Sequence, residues 1–273
     1  MLSRSLSFAC GWKMYTDKSW QFIEGKIHDH LVMDLDYTEI GPVKVSMNKY
    51  VNKVIMVFPE EIGIPAVSPA AGCLFQVKEK EGPKSLPEKQ FQDFLHVVAQ
   101  LLFLSTRAWK DIQTDVSSLT TRVKSRGEDD WGELKRFLKY FKCTKYMKLD
   151  FSIDTFSIIK WWVDVSDRTH LDCKGRTGTM MSLGKGNVSI YSNKKKLNTK
   201  SSTEIKLVGA YDFLPHVLWS LYFIESQGYP VDQNILYQDH KATLRLEGNE
   251  DFPRSKRTNH IKAKFFFIKD KAK

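Results

Sequence analysis

Apolar and polar positions along this chain follow two different periods, and the change from one to the other falls near residue 148. Over residues 87–142, apolar residues recur every three or four positions, which is the spacing of helices that bury one face. The pattern predicts a helix that starts at Pro87 and two further helices, over about 108–123 and 129–141. We expect these helices to form a small bundle.

After residue 148 the pattern becomes that of strands separated by short turns. The segments FSIIKWWVDVS, GTMMSLGKG and NVSIYSN predict a three-stranded antiparallel meander. A long helix over about 202–227 and a strand ILYQD follow, and then helices over 241–248 and 258–271. A strand that returns to its sheet through a helix pairs in parallel, so we expect α/β packing in this region.

The first part of the chain predicts a smaller unit. LVMDLDYTEI and VKVSM have the pattern of two strands joined at Gly41 and Pro42, and KYVNKVIMVF has the spacing of a short helix. Residues 57–90 contain five of the nine prolines, which is typical of an extended surface connection. The chain therefore divides into three predicted regions: 1–56, 57–147 and 148–273.

The charge balance favours a polyanionic partner. A formal net charge of +10 and a pI near 9.3 are typical of proteins that bind nucleic acid, although a soluble basic protein with no such partner has the same balance. The four cysteines are far apart, which indicates neither a disulfide framework nor a zinc site. We find no apolar run of membrane-spanning length in the sequence and no signal peptide, so we expect an intracellular protein, cytoplasmic or nuclear, without a membrane partner.

Three acidic residues stand at informative points of the predicted elements. Asp164 interrupts the apolar run IIKWWV, Glu204 lies in the first turn of the long helix, and Asp239 ends the strand ILYQ. If the first and fourth strands are neighbours, the three carboxylates can meet, and such a cluster repels itself unless cations neutralise it. Oxygen ligands at this density suit Mg²⁺ or Mn²⁺, and two such ions can promote phosphodiester hydrolysis.

Each of these acids also has a purely structural interpretation. Glu204 follows Ser201 at the spacing of a capping box, so its carboxylate could bind a backbone amide. Asp239 could cap the helix that follows it, and Asp164 could simply face solvent from one side of its strand. The order of strand acid, helix-start acid and strand-end acid favours the metal-binding interpretation of the three together.

Several segments carry a family resemblance. WWVDVS, GRTGTMMSLGKG, KLNTKSSTE, QGYPVDQNILYQD and SKRTNHIKAKFFFIKD resemble, in the same order, segments of the ribonuclease H domains of copia-type retrotransposons. Upstream, KIHDHLVMDLDYTEIGPVKVSMNKYV resembles the end of the reverse transcriptase palm, and residues 57–147 resemble the helical thumb and connection. By this resemblance Asp164, Glu204 and Asp239 match three metal-binding acids, and the expected activity is hydrolysis of RNA in RNA–DNA hybrids.

The resemblance also implies what the chain does not share with the family. The Tyr-x-Asp-Asp turn of the polymerase would lie upstream of Met1, and the family's last strand and fourth acid would follow the end of the chain. Arg176 stands where the family usually has histidine, His240 where it has asparagine, and Lys206 where it often has a second glutamate. The expected fold is thus a small β-hairpin with a helical bundle, and then a ribonuclease H-like mixed sheet lacking its last strand. Two alternatives follow: a non-catalytic nucleic-acid-binding remnant, or a chain that does not fold stably.

Two basic clusters are candidates for contacts with nucleic-acid phosphates. They consist of Lys194, Lys195, Lys196 and Lys200 before the long helix, and of Arg254, Lys256, Arg257 and His260 near the C-terminus. The alternative is a solvated charged surface. The sequence indicates no oligomeric state.

Overall fold

The structure is a computed structural model, which describes residues 25–70, 86–123, 127–166, 174–195, 202–239 and residue 270. The predicted helix over 241–248 lies outside the described residues, as does the helix over 258–271 apart from Asp270. Within the described ranges the protein is a mixed α and β structure with two sheets.

The first region contains a β-meander and a helix. Its elements are β1 (Ile27–His30), β2 (Met33–Asp36), β3 (Val43–Ser46) and α1 (Asn48–Val57). The predicted strands around Gly41 and the predicted helix are confirmed, and β2 pairs antiparallel with β3. The additional strand β1 turns back through Leu31 and Val32, both with positive φ. A hairpin turn of this kind usually contains glycine or asparagine. Because this turn contains neither, the sequence does not predict it.

The predicted helical bundle is confirmed. It consists of α2 (Glu88–Ser105), α3 (Gln113–Arg122) and α4 (Glu128–Thr144). Their buried faces form one core with α1, and the largest fully buried side chains in it are Met47, Phe94, Leu101, Leu104, Ile112, Leu119, Leu134, Phe137, Leu138 and Phe141. The three-to-four spacing of these residues is the reason why each helix buries one face.

The second sheet contains the predicted three-stranded antiparallel meander and the predicted strand after the long helix. Its elements are β5 (Ile158–Ser166), β6 (Arg176–Ser182), β8 (Ser189–Lys194), α5 (Ser202–Ser226) and β9 (Gln233–Tyr237). The order is β8-β6-β5-β9: β6 is antiparallel to both β5 and β8, and β9 is parallel to β5. The crossover from β8 through α5 to β9 therefore confirms the predicted α/β packing of this sheet.

Two short strands connect the regions on either side of residue 148. β4 (Leu149–Ile153) pairs with β3, and β7 (Gly184–Lys185) pairs with β4, so the first sheet has the order β1-β2-β3-β4-β7. Gly186 allows the close approach, because it has φ +85° and a Cβ there would lie 2.1 Å from the Asp150 carbonyl oxygen. One continuous sheet thus crosses the predicted boundary between residues 147 and 148.

Helix α5 packs on β5 and holds the second core. Trp161, Ile159 and Met181 of the sheet contact apolar residues of α5, including Leu207 and Phe213. At Gly209 the two backbones approach so closely that a Cβ would lie 2.4 Å from Val165 Cγ2. This glycine sets the spacing between α5 and β5 near the start of the helix.

The segment Glu204–Ser226 of α5 has the length and apolar composition of a membrane-crossing helix. Half of its most apolar stretch is buried inside the protein, and one helix of this kind is weak evidence of a membrane span. It gives no indication that the protein contacts a membrane.

Candidate functional site

Asp164 lies on the outward face of β5. Burial alternates along this strand, so that Val163 and Val165 point into the core while the Asp164 side chain is 75% exposed. Alternation follows from the pleat of a strand, in which successive side chains point to opposite faces. An acid within this apolar run therefore carries no desolvation cost, because it faces away from the core.

Asp239 comes to the same end of the sheet through the parallel pairing of β5 with β9. Trp162 is paired with Tyr237, and each acid follows its member of that pair by two residues. The Asp239 side chain is 73% exposed. The predicted meeting of the two acids requires β5 and β9 to be neighbours, and the strand order meets that condition.

The Lys206 side chain joins the two acids. Its Nζ donates hydrogen bonds to Asp164 Oδ1 at 2.6 Å and to Asp239 Oδ1 at 2.9 Å. Only 13% of the Lys206 side chain is exposed, so the ammonium lies between the acids rather than in solvent. Gln238 Nε2 also donates to the Lys206 carbonyl oxygen at 3.2 Å, which ties the residue before Asp239 to α5.

The electrostatics of Lys206 agree with this geometry. Burial by itself would lower the pKa of the Lys206 ammonium, but the hydrogen bonds to Asp164 and Asp239 outweigh burial and hold that pKa above its ordinary value. Lys206 is therefore a cation at neutral pH. It supplies one positive charge to two carboxylates.

Glu204 lies in the first turn of α5, as predicted, and is partly buried. It precedes Lys206 by two positions, and helix residues at this spacing do not face each other. Among the described residues there is no group of three acidic, histidine or cysteine side chains arranged to hold a metal ion.

A divalent cation between Asp164 and Asp239 would need the place that the Lys206 ammonium takes. In this arrangement the two carboxylates bind an ammonium, and Mg²⁺ or Mn²⁺ as a cofactor stays a prediction.

An aromatic pair lies on the same face of the sheet as Asp164. The rings of Trp162 and Tyr237 are stacked, with centroids 5.3 Å apart and an interplanar angle of 21°. Both residues are accessible to solvent, and Tyr237 is exposed. Their cross-strand pairing explains the stacking, because directly opposed residues of adjacent strands share a face. Local sequence does not predict this pair, because the pairing depends on the register of β5 against β9.

Two of the residues that are predicted to contact nucleic acid lie within the described ranges. Lys194 ends β8, while Lys195 is only 6% exposed and its Nζ donates to the Ile205 carbonyl oxygen at 2.5 Å. Both line an open cavity of about 660 Å³ between α5 and the β6–β8 edge, beside Tyr211 and His216. The other predicted contacts lie outside the described residues: Lys196, Lys200, Arg254, Lys256, Arg257 and His260. Ser201 and His240 lie outside them as well.

Arg176 is part of the packing between the bundle and the second sheet. It is 4% exposed, and one guanidinium nitrogen donates to Ser117 Oγ of α3 at 2.7 Å and to Ser192 Oγ of β8 at 3.2 Å. Burial, and then the nearby Arg122, lower the pKa of Arg176 to about 10, while Asp115 opposes them. The sequence analysis named Arg176 only as a departure from the family pattern. Its contacts with α3 cannot be seen from local sequence.

No protein-family model matches this chain. A function therefore has to be inferred from the strand order, the residues at the ends of β5 and β9, and the charge of the protein.

Proposed function

We propose that the second sheet and α5 form a ribonuclease H-like domain that binds nucleic acid, with an RNA–DNA hybrid as the expected partner. The support is the order β8-β6-β5-β9 with a helical crossover, together with acids at the ends of the two parallel strands. This is the arrangement that the resemblance to copia-type retrotransposon polyproteins implies. That origin, the palm and thumb relationship of the upstream regions and an intracellular location are parts of the same proposal.

The observation that carries the proposal is the convergence of Asp164 and Asp239 on one atom, Lys206 Nζ. The chain itself thus places one positive charge between the two acids, which favours binding over metal-dependent cleavage. The net charge of +10 favours attraction to a phosphate backbone. The exposed Tyr237 ring and the half-buried Trp162 ring stacked on it offer a surface on which bases or sugars can stack.

Hydrolysis of RNA in the hybrid is the second candidate function. It is favoured by the presence of Asp164, Glu204 and Asp239 at the three positions that the resemblance assigns to metal-binding acids. In that case Mg²⁺ or Mn²⁺ would be held by these carboxylates, and the Lys206 ammonium would have to leave the space between two of them. Binding is therefore compatible with the Lys206 ammonium between the two carboxylates, whereas hydrolysis requires the ammonium to move away.

Fluorescence anisotropy with a labelled RNA–DNA hybrid tests the binding proposal. We expect binding to weaken steadily as salt increases, because each phosphate contact releases counterions. Replacing Trp162 by Ala should weaken binding, whereas replacing Phe156, an aromatic stacked on Tyr229 away from the acids, should not. Failure to bind hybrid, single-stranded RNA or duplex DNA at low salt would refute the proposal.

A cleavage assay with Mg²⁺ or Mn²⁺ tests the second candidate. Hydrolysis that is lost in Asp164→Asn, but retained in Asp150→Asn, would establish the enzyme. Asp150 is a suitable control because it is a strand carboxylate paired with Lys185 at 2.9 Å, away from the candidate site. Equal cleavage by wild type and Asp164→Asn would point to a contaminating nuclease and exclude the enzyme.

A further inference from the structure

The Lys206 contact differs in its burial from two other lysine–aspartate pairs of the protein. Lys185 pairs with Asp150 and Lys148 pairs with Asp36, and these lysine side chains are 70% and 45% exposed. The Lys206 side chain is 13% exposed and contacts two acids at once. Ordinary surface pairs contribute little because water competes for both partners. The Lys206 ammonium is instead held where the two carboxylates would otherwise repel each other.

We infer that Lys206 is a built-in counter-ion, which takes the place of a divalent cation between Asp164 and Asp239 and makes the site independent of metal. The inference rests on the proposed function only in treating these acids as the counterparts of metal-binding residues. It explains why two acids can stay close together at the ends of β5 and β9 within a nucleic-acid-binding domain.

Electrostatics explain why the tethered charge excludes a metal. Two carboxylates at short range repel each other, and a cation between them removes the repulsion. A lysine on a packed helix supplies that cation without loss of a free ion's translational freedom. A Mg²⁺ ion entering the same space would meet the positive charge of Lys206, and expelling the ammonium would break both hydrogen bonds.

The backbone around Lys206 holds the ammonium in place. Gly209, three residues further along α5, brings the helix into close contact with Val165 of β5. Gln238 binds the Lys206 carbonyl oxygen from the segment that carries Asp239. The segments that carry Asp164 and Asp239 are therefore both fixed to α5. The position of the Lys206 ammonium between the two acids does not depend on a bound ligand.

Mn²⁺ titration of the full chain, followed by electron paramagnetic resonance, tests the inference. The variants are Lys206→Met, which removes the charge at similar length, and Lys206→Glu, with Lys185→Met as the matched control. We expect Mn²⁺ to bind Lys206→Met at least about tenfold more tightly than wild type, and Lys206→Glu more tightly still. The control should bind as wild type does.

Thermal melting in EDTA and in Mg²⁺ provides a second readout. The melting temperature of wild type should be the same in both, whereas Lys206→Met should melt lower in EDTA and recover in Mg²⁺. Tight Mn²⁺ binding by wild type that Asp164→Asn abolishes would overturn the inference, and this measurement needs no lysine variant to fold. Unchanged Mn²⁺ affinity in folded Lys206→Met would overturn it too.

The failure of this inference is separate from the failure of the proposed function. Hybrid binding is measured on the same wild-type protein without metal. If the wild-type protein binds hybrid and also binds Mn²⁺ through Asp164, the proposed function stands and the counter-ion inference is refuted. If Lys206→Met gains Mn²⁺ affinity but the wild-type protein binds no nucleic acid, the counter-ion inference stands and the proposed function is refuted.

Discussion

The helical bundle and the second sheet with α5 both bury aromatic rings in their cores, but α5 also carries exposed ones. In the bundle, Phe94, Phe137 and Phe141 are fully buried. On α5, Trp219 is 64% exposed, and it is stacked on Phe223, which is also largely exposed. The bundle thus uses its aromatic residues for a dry core. The second region keeps several of its aromatic and charged groups at the surface, where they can contact other molecules, and this difference suggests where stability and function lie.

The largest effect that this comparison predicts is the loss of a bundle aromatic. Phe137→Ala should lower the free energy of unfolding by about 3–5 kcal/mol, because it removes a fully buried ring and leaves a cavity. Trp219→Ala is the matched control on α5, where an exposed ring should cost less than about 1 kcal/mol. Chemical denaturation of both variants measures the difference. Equal losses would contradict the division between the two regions.

A smaller effect is expected from filling the contact between α5 and β5. Gly209→Ala places a methyl group 2.4 Å from Val165 Cγ2, on a stiff β-branched side chain, so one element must shift. We expect a loss of about 1–3 kcal/mol in the free energy of unfolding. Gly132→Ala in α4, where a Cβ meets no atom within 4 Å, should be neutral or stabilising. Destabilisation by Gly132→Ala but not by Gly209→Ala would contradict the close packing of α5 on β5.

The smallest predicted effect depends on pH and lies between α3 and the second sheet. Burial, and then Asp111 and Glu133, raise the pKa of Asp115 to about 6, while Arg176 opposes them. The folded protein therefore keeps a proton that the unfolded chain releases near its ordinary pKa of 3.8. Stability should fall as pH rises from about 4 to 6, and the loss should be complete above the folded-state pKa.

Asp115→Asn tests this assignment. The variant should be more stable than wild type at pH 7 by about 1 kcal/mol, a value reduced by partial exposure and by the lost attraction to Arg176. The difference should disappear near pH 4, where wild type carries the proton. Urea denaturation at several pH values measures it. A variant that is less stable than wild type at pH 7 would show that the attraction between Asp115 and Arg176 outweighs burial.

The candidate site was partly predictable from sequence. The sequence left open whether Asp164 faces solvent, and the alternating burial along β5 confirms that it does; Asp239 follows the strand ILYQ as predicted. The role of Lys206 was not predictable in this way. Its contacts join three segments of the chain, and they exist only because β5 and β9 are adjacent, parallel and in the register that pairs Trp162 with Tyr237.

The sequence by itself determined the helices α1 to α5 and the strands β2, β3, β5, β6, β8 and β9, because each depends on a short period of apolar residues that bury one face. The tertiary structure alone decided that β4 joins the first sheet, that Arg176 is buried against α3, and that an ammonium lies between Asp164 and Asp239. These features depend on strand register and on packing between distant segments. Such packing is set by the free energy of the whole fold and leaves no local period in the sequence.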